Sequence, residues 1–137
     1  MTKYLNWKFN LDEEPEIEPY DPLGTITIVG DVGRLEDDCI FLDTFLEAIV
    51  KGLTSLERNK IIAIDTIDEP DDLLFEEKEE SLTISYGLQK VVILDKNQFF
   101  QELKTTINDF LNMLDDVSVR KKQKHCKLKF LRDFRLH

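Results

Sequence analysis

Leu5, Trp7, Phe9 and Leu11 alternate with Asn6, Lys8 and Asn10, the period-two pattern of a strand with one buried face. Thr25 to Val29 reads as a second strand, closed by the turn Gly30-Asp31-Val32-Gly33. A short strand over 39–42 comes next. Leu42, Phe45, Leu46, Ile49, Val50, Leu53 and Leu56 then fall on a single apolar stripe, which predicts an amphipathic helix. Thr44 and Glu47 have capping-box spacing, and Asp43 is the other candidate cap. Gly52 interrupts the stripe at a cost in helix propensity, which points to a close neighbour.

Four more strands are expected, over residues 60–67, 73–76, 82–86 and 90–94. Polar turns at 68–72 and 76–80 separate the first three, and Gly87 marks a tight connection before the last. Strands joined this closely must run antiparallel, because a parallel crossover needs a dozen or more residues. A second helix starts at Asp95, with Gln98 spaced for a capping box. Phe99, Phe100, Leu103, Ile107, Phe110, Leu111 and Leu114 form its apolar face. The acidic pair Asp115-Asp116 is unfavourable at a helix C-terminus and predicts a stop there. Beyond it the pattern is ambiguous: Cys126, Leu128 and Phe130 alternate as in a strand, while Phe130, Leu131 and Phe134 suit a helix. The expected fold is a single α+β domain, a mainly antiparallel sheet of about five to seven strands with two amphipathic helices on one face.

Charge divides the chain unevenly. Residues 1–119 carry 27 acidic and 10 basic groups, a net of −17, whereas residues 120–137 carry eight basic groups and one acid. An acidic domain thus ends in a basic, partly apolar segment. With 42% hydrophobic residues the 137-residue chain can build a core. Its beginning is not a secretory signal, and no run approaches the ~18 apolar residues of a membrane span. Two cysteines are too few for a disulfide framework. The cytoplasm is the expected compartment, with no membrane association.

No catalytic constellation is visible. His125 and His137 stand in no spacing typical of a triad or a zinc site. Cys126 adjoins His125, but neighbours in sequence do not face each other, and a buried free thiol is the commoner state. Asp68-Glu69-Pro70-Asp71-Asp72 lacks the glycine of a calcium loop, and no phosphate-cradling glycine motif is present. The expectation is a protein that is not an enzyme and uses no cofactor or metal.

The stronger candidates are surfaces. Asp12, Glu13, Glu14, Glu16 and Glu18, with three prolines, precede Tyr20, and Asp21 lies just after it. Proline limits the entropy lost when a partner orders such a loop, and Tyr20 is an aromatic anchor of the kind interfaces favour. The plain alternative is a loop kept soluble by its charges. Asp68, Glu69, Asp71 and Asp72 would help at the same surface. The basic segment also has two readings, a grip on nucleic acid or docking on the acidic domain or a second subunit. Its apolar residues, and the repulsion between the domain and a phosphate backbone, favour docking, making nucleic acid an unlikely partner and a homodimer a candidate assembly.

Thr25 to Val29 with Gly30-Asp31, the stretch Phe41-Leu42-Asp43-Thr44-Phe45-Leu46-Glu47-Ala48 running to Gly52-Leu53, Asp68-Glu69-Pro70 and the closing helix from Phe99 to Leu114 together resemble small bacterial immunity-type proteins. The resemblance covers roughly residues 5–115 and rests on general pattern. It implies stoichiometric binding of a basic protein partner, a cognate toxin and often a nuclease, without catalysis. No individual residue role is carried over by it.

Overall fold

A computed structural model describes residues 3–9, 23–56, 60–65, 72–79, 81–120, 131 and 134. The chain runs β1 (Leu5–Phe9), β2 (Leu23–Val29), β3 (Arg34–Phe41), α1 (Leu42–Ser55), β4 (Ile61–Ile64), β5 (Leu73–Lys78), β6 (Ser81–Tyr86), β7 (Gln89–Ile93) and α2 (Lys96–Arg120). The strands form two antiparallel sheets, β1-β2-β3 and β4-β5-β6-β7. The expected α+β fold with two helices is what the chain adopts.

β3 and β7 lie side by side and stitch the two sheets together. Val32 and Val92 form an antiparallel bridge, in which the Val92 N–H donates to the Val32 carbonyl at 2.8 Å and the Asp31 N–H to the Val92 carbonyl at 2.8 Å. Four residues further along the chain, in β3, a side chain replaces the missing backbone partner. The Glu36 N–H donates to Gln89 Oε1 at 2.8 Å, and Gln89 Nε2 donates to the Glu36 carbonyl at 3.1 Å. The amide of Gln89 therefore mimics one rung of a ladder, since it offers one acceptor and one donor as a peptide does. The order across the joined sheets is β1-β2-β3-β7-β6-β5-β4.

Pairing puts Leu5, Ile28 and Leu35 on one face, continued by Val91, Ile84 and Phe75, and all six are fully buried. Both helices cover this face. α1 lies over β2 to β5 and α2 over β1. Phe45 of α1 meets the Tyr86 ring edge-on at 5.5 Å, and Phe110 of α2 meets Trp7 in the same way at 5.5 Å. From the C-terminal segment, Leu131 is buried in the same core, and Phe134 packs edge-on against Phe100 at 5.5 Å with Lys104 over both rings.

Several boundaries differ from the sequence expectation. The short strand at 39–42 is in fact the eight-residue β3; its acidic stretch has poor strand propensity, but pairing with β2 overrides it. β4 is limited to Ile61–Ile64, and residues 66–71 lie outside the described residues. α1 begins at Leu42 directly from β3, so Asp43 sits in its first turn rather than preceding it. There its charge complements the positive helix terminus. α2 runs through Asp115-Asp116 to Arg120. A screened dipole penalty of about 1 kcal/mol or less does not stop a helix whose apolar face is still buried at Leu114. Asp95 caps it as expected, with Oδ1 accepting from the Gln98 N–H at 3.0 Å. The Gln98 side chain, however, reaches forward to Glu102 at 3.3 Å.

Candidate functional site

The two ends of the sheet are built differently. At one end the chain is tied down. Asp31 Oδ2 accepts from the Tyr4 hydroxyl at 2.9 Å and from the Leu94 N–H at 2.8 Å, while Oδ1 lies 3.3 Å from Lys3 Nζ. One carboxylate thereby joins the start of β1, the β2–β3 turn and the exit from β7. Glu102 adds a second tie, accepting from the Tyr4 and Leu5 N–H groups. The turn itself depends on Gly33, whose φ of 84° lies in the left-handed region and whose missing side chain makes room for the Lys90 carbonyl.

The bond from the Leu94 N–H, then that from Tyr4 and the nearby Lys3, hold the Asp31 carboxyl below the ordinary aspartate value. A group depressed in the folded state contributes stability above its unfolded pKa and loses it as pH falls through the folded value. Asp31→Asn is therefore expected to melt at lower temperature than the wild type at pH 7, and the gap should narrow as pH falls below about 4. Thermal unfolding followed by circular dichroism at pH 7 and pH 3 reads both; an equal gap at the two values would remove Asp31 ionisation from the explanation.

At the opposite end the chain is acidic. β1 finishes at Phe9, opposite Gly24, and Leu23 pairs with Phe41. Tyr86 pairs with both Gln89 and Leu73, and Leu73 pairs with Ile64. These residues share one end of the joined sheets. The connection 10–22 therefore leaves and returns there, and so does the connection 66–71. Glu13, Glu14, Glu16, Glu18, Tyr20 and Asp21 of the first, and Asp68, Glu69 and Asp71 of the second, lie outside the described residues. Asp72, the remaining expected contact residue, is exposed at the entry to β5.

The described part of this rim carries more acid than the loops alone suggested. Asp65 is exposed where β4 ends, and Asp38 is exposed on β3. Asp37 accepts from the Tyr86 hydroxyl at 2.7 Å, so a buried ring positions a rim carboxylate. At the tip of the β6–β7 hairpin, Gly87 takes a φ of 60° and turns Leu88 fully into solvent. Leu88 is thus a fully exposed apolar side chain at the same end of the sheet as Asp37, Asp38, Asp65 and Asp72. Sequence reading passed over Asp37, Asp38 and Leu88. The acidic run was visible, but its position at this end is set by the β3–β7 seam, and Leu88 stands out only once its burial is known.

Among the described residues, no group of three or more His, Cys, Asp or Glu side chains is placed to hold a metal ion. No helix among them is long and apolar enough to cross a membrane. No family model, curated protein or solved structure matches this chain.

Proposed function

We propose that this is a non-catalytic cytoplasmic binding protein of the immunity type, which captures a basic protein partner through the acidic rim. The observation that carries the proposal is topological. Two acidic connections, 10–22 and 66–71, are anchored at one end of the sheet beside Asp37, Asp38, Asp65, Asp72 and the exposed Leu88. The opposite end is occupied by structural ties. Leu88 and Tyr20 supply apolar anchors, and the carboxylates supply long-range attraction. A toxin with a basic active surface is the partner class this chemistry fits. The competing reading, nucleic-acid association through Arg120–His137, is less favoured, because Leu131 and Phe134 of that segment pack on the domain.

The protein immobilised as bait in lysate of its native cell should recover a basic protein. Association of that partner should slow steeply between low and high salt, and Asp38→Lys combined with Asp72→Lys should slow it about tenfold or more at low salt. A rate insensitive to salt, or recovery of no basic protein, overturns the proposal. Loss of nucleic-acid binding on deletion of residues 120–137, with the fold intact, would establish the competing reading instead.

A further inference from the structure

An open sheet has two edges, and here they are finished differently. At the β1 edge, α2 supplies Glu102, whose Oε1 accepts from the N–H groups of Tyr4 and Leu5 at 2.8 and 3.2 Å. At the β4 edge, no strand lies beyond Ile61–Ile64 among the described residues. The Lys60 carbonyl accepts from the Glu77 N–H at 2.8 Å, which fixes the phase of the strand. In an antiparallel ladder alternate residues turn both backbone groups to the same neighbour. Lys60, Ile62 and Ile64 thus face β5, and the N–H and C=O groups of Ile61 and Ala63 point outward. Their side chains lie on the face without helices, where Ile61 is 58% and Leu74 38% exposed.

We infer that a second copy of this chain adds to β4 in antiparallel fashion, about a two-fold axis at Ile62. That axis places Ile61 of each copy opposite Ala63 of the other. These are the residues with outward backbone groups, so each pair exchanges both N–H···O bonds and every outward group of Ile61 and Ala63 gains a partner. The large Ile61 side chain meets the small Ala63. Sliding the copies by one step of two residues would set Ile61 opposite Asp65 in one direction, and in the other opposite Ile61 of the second copy, two large side chains face to face with Ala63 opposite residue 59. Charge agrees with the direction, because β4 is preceded by Lys60 and followed by Asp65. Antiparallel pairing brings the lysine of each copy to the acidic end of the other, whereas parallel pairing sets like beside like. The rotation also sends the two acidic rims to opposite ends of the assembly, which limits repulsion between chains of net charge −10. The inference uses neither acidic connection and stands apart from the partner proposed above.

Sedimentation of the full chain from about 10 μM to about 1 mM, the range in which small transient interfaces assemble, should show a dimer growing with concentration. Ala63→Pro removes an outward N–H and leaves the β5 ladder whole, as edge strands tolerate. It should lower the association constant tenfold or more while the circular dichroism spectrum and melting temperature stay as in the wild type. In a chain with Cys39 and Cys126 replaced by serine, Ile62→Cys should cross-link to its counterpart under mild oxidation, and Ile61→Cys should not. A wild type that stays monomeric throughout, an Ala63→Pro chain that folds and dimerises as well as the wild type, or equal cross-linking at 61 and 62 would each overturn the inference.

Discussion

Gly52→Ala is expected to destabilise the fold by about 2 kcal/mol, the reverse of what helix propensity predicts. In the interior of a solvent-facing helix, alanine is worth up to about 1 kcal/mol over glycine. Position 52 faces the sheet, and a Cβ there would overlap the edge of the Phe75 ring. Phe75 is fully buried on β5, between β4 and β6, so its ring can move aside only by displacing the close-packed side chains of the core. Overpacking of a tight core typically costs about 1–3 kcal/mol and on occasion more, which outweighs the propensity gain. Urea unfolding of the single variant measures the net effect. A double variant, Gly52→Ala with Phe75→Leu, tests the cause, since the smaller side chain should make the two losses less than additive. A stabilising Gly52→Ala, or strict additivity, would show that the ring gives way and that the glycine serves no packing purpose.

The same pair of residues shows what was legible in the chain. The apolar stripe from Leu42 to Leu56 specifies α1, and a glycine inside it announces a close approach. Which residue approaches is not local information: Phe75 arrives from β5, 23 positions away. Strands with a clean period of two, such as β6 with Leu82, Ile84 and Tyr86 buried in alternation, were equally readable. β3 was not. In its first five residues only Leu35 is buried, and Glu36, Asp37 and Asp38 look like a turn until β2 is laid beside them. The seam between the sheets was the least legible feature. It depends on Gln89 completing a backbone rung, a role that no periodicity encodes.

The candidate site divides in the same way. Composition alone marks 12–21 and 68–72 as acidic surfaces, because so many carboxylates on a proline-bearing stretch cannot be buried. That both belong to one end of the molecule is a property of topology: three strands with a long first connection, then four closing back against the third. What the topology fixes is where the connections are attached: Phe9 and Leu23, Asp65 and Asp72 stand at the same end of the sheet as Asp37, Asp38 and the exposed Leu88. A field summed over one rim steers an oppositely charged partner far better than the same charges spread over the body.

Glu102→Leu is expected to have the larger effect of the two, a loss of about 3 kcal/mol. The side chain is 4% exposed, on the face of α2 that meets β1. Its Oε1 takes the N–H groups of Tyr4 and Leu5, and its Oε2 takes an N–H from Gln98. Leucine fills much of the same volume without accepting anything, so two backbone donors at the sheet edge become buried and unpaired, at about 1–3 kcal/mol each. β1 should feel this first, since those bonds hold its start against the helix, and hydrogen exchange at Tyr4 and Leu5 should accelerate more than at β6. Glu102→Gln separates acceptor loss from other causes. The amide oxygen can still serve both backbone donors, leaving only its NH₂ opposed to that of Gln98, so less than half of the leucine loss is expected. Equal losses in the two variants would mean that the negative charge, and not the accepting oxygen, holds β1 to α2.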